Sequence, residues 1–459
     1  MATLVLPDWI ASRLAELADL DIETGAVLLA RPVVEQGTLR RLLATRLLEV
    51  PEADYVHRRS DSLLIRSGGY VSALALAEQS GAIPIWLHTH PGEGASPRPS
   101  EHDRRVDAQL AETFRIRSGQ SFYGAVVIAR KSGALRFCGH LEAEKELIQI
   151  DRMLSVGDRI RLTWNDTSAL PPLTSLFDRH IRAFGTDVQR ALADLQIAVV
   201  GCGGTGSSVA EQLVRLGVRH LLLIDPDHIA ETNLTRVYGS AKRDIGRLKV
   251  ETLRQHLAGI APDAAIDTAA SMITVQSTAM RLSAMDVVFG CTDDNAGRLV
   301  LSRLASYMLT LVIDCGVVLT SNVLGLLDGI HGRVTVLHPG AACLVCRRRI
   351  DLARASSEML TPTERIRRQD EGYAVGLPDV EPAVVAYTTM VAAASVAELL
   401  ERLIGYGPEL VPSELILRLH EREISTNTRS PGPGHYCDPT AGKIGLGTTS
   451  PFLEQTWTA

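Results

Sequence analysis

The chain has 459 residues, more than one hydrophobic core serves, since cores stop growing at about 250–300 residues. Two domains are therefore expected, and 46% hydrophobic with 22% charged residues is an ordinary globular balance. A formal net charge of -6 argues against a general nucleic-acid or anionic-membrane binder, which would be basic.

The first residues, MATLVLPDWIASRLAEL, carry no basic n-region and no small-residue cleavage site, so no signal peptide is expected. Seven cysteines form an odd set without framework spacing, which points to a reducing cytoplasm. Residues 384–400 are the most apolar run, but they include Thr388, Thr389, Ser395 and Glu398. The run is short for a membrane span of about 20 residues and reads as a buried helix.

Residues 1–155 alternate strand-like runs (GAVLLA at 25–30, IPIWLHTH at 83–90, YGAVVIA at 123–129) with amphipathic helical stretches. A weakly patterned stretch with Pro171 and Pro172 makes 156–175 a candidate linker. From 176 to 425, short apolar runs (197–201, 220–225, 285–293, 310–316) alternate with helix-length segments, the pattern of a parallel α/β sheet. Residues 323–340 read as a hairpin, and the 426–459 tail as irregular.

His88, Thr89, His90 and Pro91 close an apolar strand. Alternation puts His88 and His90 on one side of it, so two imidazoles can converge on one metal. PSEHD follows, with Ser100, and with Asp103 as a third, oxygen ligand. Two histidines and a carboxylate leave a position open for water, the geometry of a catalytic zinc site, and such chemistry also needs a general base. The plain alternative is a surface histidine pair beside a proline loop; Glu93 and His102 read as loop residues.

These motifs resemble the JAMM (JAB/MPN+) zinc isopeptidases, whose pattern is HxHP followed by Ser-x-x-Asp with an upstream Glu. Here HTHP and SEHD match, across a somewhat longer gap, and Glu23 in ETGAVLLA fits the upstream Glu. The resemblance implies a mixed sheet flanked by helices. It also implies zinc on His88, His90 and Asp103, Glu23 activating the attacking water, and Ser100 stabilising the tetrahedral intermediate.

Gly201-Cys202-Gly203-Gly204-Thr205-Gly206 follows a strand and opens a helix, with Asp225 ending the next strand. Glycines there allow a tight turn and close approach to phosphate, and Asp225 sits where a ribose hydroxyl would bind. This much also fits an NAD-dependent oxidoreductase. Asp227, Asn233, Arg236 and Lys249 follow, and Asp293 in CTDDN ends a later strand. Cations placed to hold a triphosphate, and an acid placed for magnesium, suit an adenylating enzyme better.

The set resembles the ThiF-type, ubiquitin-activating-like adenylyltransferases, through FDRHI with Arg179, GCGGTG, DPDHIAETNLTR, GRLK, CTDDN and CLVC. That implies a Rossmann-like domain with a mostly parallel sheet, using ATP and magnesium. Asp225, Arg236, Lys249 and Asp293 would hold ribose, phosphates and metal, Asn233 would support the pocket, and Arg179 would act across a homodimer interface. The implied substrate is the C-terminal glycine of a ubiquitin-like or sulfur-carrier protein.

Cys343 and Cys346 form CxxC, and with His435 and Cys437 they could make a Cys3His zinc site. From Arg347 to Tyr436 there is no cysteine, so the acyl group is expected to pass to a conjugating partner's cysteine or a sulfur donor. The Arg-rich 347–368 stretch reads as a solvated helix face or a docking surface. The joint expectation is a bacterial-type bifunctional protein that cleaves and activates ubiquitin-like proteins. A sulfur-carrier activator for cofactor or natural-product biosynthesis is the alternative, and a non-catalytic scaffold a third.

Overall fold

The chain forms two compact units, Met1–Leu170 with Gly445–Gly447 and Pro171–Ile444 with Thr448–Ala459. They are described by a computed structural model covering residues 2–144, 146–360, 364, 367 and 382–457.

The first unit is built on eight strands: β1 (Ala2–Pro7), β2 (Gly25–Glu35), β3 (Thr38–Glu49), β6 (Ile83–His90), β7 (Tyr123–Lys131), β8 (Ala134–Glu142), β9 (Leu147–Val156) and β10 (Ile160–Trp164). They lie in the order β1-β3-β2-β6-β7-β8-β9-β10, and β1 also pairs with β9, so the sheet closes on itself. A small ribbon, β4 (Tyr55–Arg58) with β5 (Leu63–Ile65), and helices α1 (Asp8–Ala18), α2 (Gly68–Ser80) and α3 (Glu101–Ser118) complete it.

Alternation along the central strands serves two cores. Ala26, Leu28, Ile85 and Leu87 meet Leu14 and Leu17 of α1 in one. Val27, Leu29 and Trp86 meet Ala73 of α2 and Phe114 of α3 in the other. His88 and His90 keep step with Trp86, so they emerge on the face that α3 covers.

The candidate linker is a different object in the structure: Ile160 to Trp164 pair antiparallel with β9 as the last strand of the first sheet. Weak polarity patterning hid them because β10 is short and half-exposed.

The second unit has β11 (Gln196–Val200), β12 (His220–Ile224), β13 (Ala265–Ala269), β14 (Val287–Gly290), β15 (Leu311–Ser321), β16 (Leu327–Leu337), β17 (Glu414–Arg418) and β18 (Glu423–Asn427). The order is β13-β12-β11-β14-β15-β16-β17-β18. Pairings from β13 through β15 are parallel, and those from β15 onward are antiparallel. Helices α4 (Asp178–Phe184), α5 (Thr186–Asp194), α6 (Gly204–Arg215), α7 (Lys249–Ile260), α8 (Gln276–Arg281), α9 (Asn295–Tyr307) and α10 (Leu352–Glu358) connect or flank the strands.

A further helix, Val385–Ile404, buries Val391, Val396 and Leu399. No described helix is long and apolar enough to cross a membrane. Residues 323–340 do not fold back on themselves: most of them form β16, whose hairpin partner is β15. The turn of that hairpin lies between Ser321 and Leu327, where Asn322 N donates to Leu326 O at 2.9 Å.

Candidate functional site

Strand order changes direction at β11, since the chain runs to β12 and β13 on one side and returns to β14 on the other. Ligands of doubly wound sheets bind beyond the carboxyl ends of strands at such a switch point. Gly201 follows β11, Asp225 follows β12 and Asp293 follows β14, so all three lie at that edge.

The glycine loop is tightly closed. A Cβ on Gly206 would fall 1.7 Å from the Gly201 carbonyl oxygen, and one on Gly201 (φ +88°) would fall 2.6 Å from the Cys291 carbonyl. Gly203 sits at the N-cap of α6, the end that favours phosphate. Above Gly204 lie the Arg236 side chain and the Thr388 hydroxyl. Thr388, at the start of the Val385–Ile404 helix, was not identified from sequence, where nothing separates it from other threonines of an apolar run.

Asp225 is buried. Its carboxylate accepts from Cys202 N at 2.7 Å and Asp227 N at 2.9 Å, pinning the loop to β12. Burial raises its pKa, and the Lys249 ammonium opposes the rise. Lys249, at the start of α7, is nearly buried and contacts Asp227 at 2.7 Å and Asp225 at 3.9 Å. It is therefore not a solvated helix charge. Asn233 is buried, and its side-chain oxygen accepts from Ala230 N at 3.0 Å, shaping the turn that presents Arg236.

The α9 N-cap is Asp294, whose carboxylate accepts from Gly297 N, so the neighbouring Asp293 is exposed at the strand end without a capping task. Glu358 of α10 also reaches this helix start, accepting from Ala296 N at 2.8 Å. Arg179 is exposed on α4.

In the first unit, His88 Nε2 and His90 Nε2 are 3.3 Å apart. Asp103 Oδ1 lies 3.5 Å from His88 Nε2, and Asp103 Oδ2 lies 3.4 Å from His90 Nε2. In a tetrahedral zinc site with bonds of about 2.0–2.1 Å, N and O donors sit about 3.3–3.4 Å apart. One ligand atom from each of the three residues lies within 4.8 Å of the others, close enough to share one zinc ion, whose tetrahedral geometry has a fourth position.

His90 Nδ1 contacts the Ser96 carbonyl at 2.7 Å, which turns Nε2 inward. Burial tends to raise the Asp103 carboxyl, but hydrogen bonds from both histidines outweigh it and hold it well below the carboxylate range. One turn further along α3, the buried Asp107 accepts from Tyr123 Oη at 2.8 Å.

Glu23 immediately precedes the β2 edge, where Gly25 pairs with His88, and Thr89 N donates to Thr24 O at 3.0 Å. Its carboxyl is nearly buried, and burial raises its pKa against the pull of His88 and His90. Ser100 is the α3 N-cap: its hydroxyl accepts from Asp103 N at 3.1 Å, while Asp103 Oδ2 accepts from Ser100 N at 2.6 Å. His102 belongs to the first turn of α3 and not to the loop, and Glu93 accepts from Ser132 N.

A second donor cluster joins Cys343, Cys346, His435 and Cys437, all within 4.8 Å of one another. Cys343 Sγ to His435 Nδ1 is 3.6 Å, Cys346 Sγ to Cys437 Sγ is 3.8 Å, and His435 Nδ1 to Cys437 Sγ is 3.3 Å. Thiolates at about 2.3 Å from zinc stand about 3.8 Å apart, so four donors fit a closed tetrahedron. A hydrogen bond from Cys437 pulls the Cys343 thiol below its ordinary value. Gly432 N adds a bond to Cys346 Sγ at 3.3 Å.

Of the three arginines after this CxxC only Arg348 is exposed. Arg347 is buried, and Arg349 reaches Glu414 at 2.9 Å. Arg365 and Arg368 of the same stretch lie outside the described residues. Cys315 is buried and Cys291 half-buried, with their sulfurs 3.5 Å apart.

A glycine loop, a strand-end acid and two buried or half-buried cations at a switch point define a nucleotide-binding α/β unit. The model of the ThiF family matches residues 177–433, more than half of the chain, and the chain belongs to that family. It is 29% identical over 174 residues to a ubiquitin-like modifier-activating enzyme 5 of Oryza sativa subsp. japonica, covering 35% of this chain and 39% of the relative. It is 34% identical over 118 residues to the molybdopterin-synthase adenylyltransferase of Escherichia coli, covering 26% and 47%. It is 31% identical over 141 residues to the tRNA threonylcarbamoyladenosine dehydratase 2 of Saccharomyces cerevisiae, covering 30% and 31%. The chain thus spans less than half the length of these relatives.

Proposed function

We propose that the chain adenylates the C-terminal glycine carboxylate of a ubiquitin-like or sulfur-carrier protein. The observation that carries this reading is the grouping of the glycine loop, Arg236 and Lys249 around the β11 switch point, with Asp293 uncapped at the end of the neighbouring β14. A carboxylate oxygen attacks the α-phosphorus of ATP, the bond to the bridging oxygen breaks, and pyrophosphate leaves. Arg236 and Lys249 offset the charge that develops on the phosphates, and Asp225 receives the ribose. Magnesium held by Asp293 would supply further charge neutralisation. Arg179 reaches a partner subunit's site in a homodimer, and the acyl group leaves for a partner's cysteine or a sulfur donor in the cytoplasm.

ATP–pyrophosphate exchange with candidate carriers tests this reading. Exchange that requires the carrier's free terminal glycine, and that falls at least a hundredfold in Asp293→Ala, is expected. ATP binding without exchange for any carrier would move the substrate to another carboxylate, such as one borne on RNA.

The first unit supports a second reading, a JAMM-type zinc isopeptidase acting on the same carrier's tail. The donor spacing of His88, His90 and Asp103 carries it. Zinc held there by His88, His90 and Asp103 would lower the pKa of a bound water and polarise the scissile carbonyl. Glu23 takes the proton of the attacking water, and its burial, which raises its pKa above the ordinary carboxylate value, suits it to that role. Glu23→Gln is expected to cut cleavage of a tail-extended carrier about 10²–10⁴-fold with zinc content unchanged; unchanged cleavage removes Glu23 from that role.

A further inference from the structure

Between Pro91 and Ser100 runs the loop that separates the histidine motif from α3, and it is tied down at both ends. Its first half is held to the β7–β8 turn, where Gly94 N donates to Arg130 O at 3.0 Å and Glu93 accepts from Ser132 N. Its second half carries the Ser96 carbonyl that contacts His90 Nδ1 at 2.7 Å. That half has a separate anchor. Arg98 Nε donates to Asp166 Oδ2 at 3.1 Å, with Arg98 Nη2 reaching the Asp166 carbonyl at 3.5 Å. Arg98 N in turn donates to Ser96 Oγ at 3.2 Å, so Ser96 and Arg98 form one turn. Asp166 is itself fixed: its N–H donates to Phe137 O at 2.9 Å, its carboxylate is only 11% exposed, and Arg136 pairs with it from β8.

We propose that Arg98 is a positioning residue for the His88–His90–Asp103 cluster: by gripping Asp166 it holds the Ser96 carbonyl against His90 Nδ1 and so keeps Nε2 turned to the metal. The proposal rests on reading that cluster as a metal site. A carbonyl on the distal ring nitrogen fixes both the tautomer and the ring plane of a metal-binding histidine. The Arg98 side chain is 63% exposed, and an exposed ion pair adds little to global stability. Its loss should therefore loosen the cluster without unfolding the unit.

The test uses the full chain and zinc or cobalt(II) as the probe. Arg98→Gln is expected to weaken zinc at this cluster about 10–100-fold in chelator competition, with an unchanged thermal midpoint. The cobalt bands lost in His88→Ala isolate this cluster from the thiolate site, and those bands should shift in Arg98→Gln. Arg98→Lys, which keeps the cation, should recover most of the affinity. Wild-type zinc affinity and cobalt bands in Arg98→Gln would overturn the proposal. If wild type and His88→Ala bind equal amounts of metal, the cluster is no metal site and the underlying reading fails with it.

Discussion

The histidine–aspartate cluster of the first unit and the cysteine–histidine cluster of the second meet the same metal geometry by opposite routes. His88, His90 and Asp103 stand on a strand and a helix close in sequence, and those elements are held by the two cores of the first unit. Cys343, Cys346, His435 and Cys437 stand on irregular backbone, with some ninety residues between the two pairs. In the first case the fold makes the site. In the second, zinc on the four donors would help to make the fold, by tying His435 and Cys437 to the segment that follows β16. Three donors with an open corner suit chemistry, and four donors with none suit structure.

That contrast can be broken most forcefully by removing metal. Structural zinc sites contribute apparent free energies of about 10–16 kcal/mol in small domains. A strong chelator, or Cys346→Ser, is therefore expected to lower the thermal midpoint of the second unit sharply and abolish adenylation. His88→Ala should leave that midpoint where it was. Equal thermal responses to His88→Ala and Cys346→Ser would erase the distinction.

The next effect concerns what supports the closed cluster. Glu414 is buried, accepts from Arg349 at 3.0 Å and 2.9 Å, and faces the buried Arg347. Glu414→Ala leaves Arg347 without its counter-charge and should cost about 3–5 kcal/mol in urea unfolding at neutral pH. Burial tends to raise the Glu414 carboxyl, but hydrogen bonds from Arg349 and Asn427 hold it at about 2, below its ordinary 4.5. A depressed carboxyl stabilises fully above its unfolded value, so this contribution fades as pH falls from 4.5 toward 2. The gap between wild type and Glu414→Ala should close over that window; a constant gap would mean that the charge is not what matters.

The smallest effect separates two tasks for Ser100. As an N-cap it is worth about 1 kcal/mol, so Ser100→Ala should lower the stability of the first unit by that much. Were capping its sole task, cleavage would change less than tenfold. A hundredfold loss of turnover would instead mark a direct hold on the developing oxyanion.

Much of this arrangement was legible from residues alone. In the second unit β11, β12, β14 and β15 were readable because each is a short apolar run, with a glycine or an acid following as at Gly201, Asp225 and Asp293, whereas β13, which carries Asp267 and Thr268, was not. Both donor clusters were readable because HxH on a strand and CxxC on a turn constrain geometry locally. The rest depended on distant partners. β10 is recognisable only through its pairing with β9. Asp293 and Asp294 are adjacent aspartates, and only the backbone shows which one caps α9. Arg98 and Asp166 are 68 residues apart, with nothing in either local sequence to announce the other.

The closed cluster also sets a timetable. A chain made from its amino end exposes Cys343 and Cys346 well before His435 and Cys437 emerge. Phe452 and Leu453, which bury themselves close to α9, and Glu454, which accepts from Tyr307 Oη at 2.7 Å, arrive later still. The glycine loop can therefore be synthesised and its sheet begun while half the metal donors are still inside the ribosome. On the reading of this cluster as a zinc site, completion of the second unit awaits those last donors.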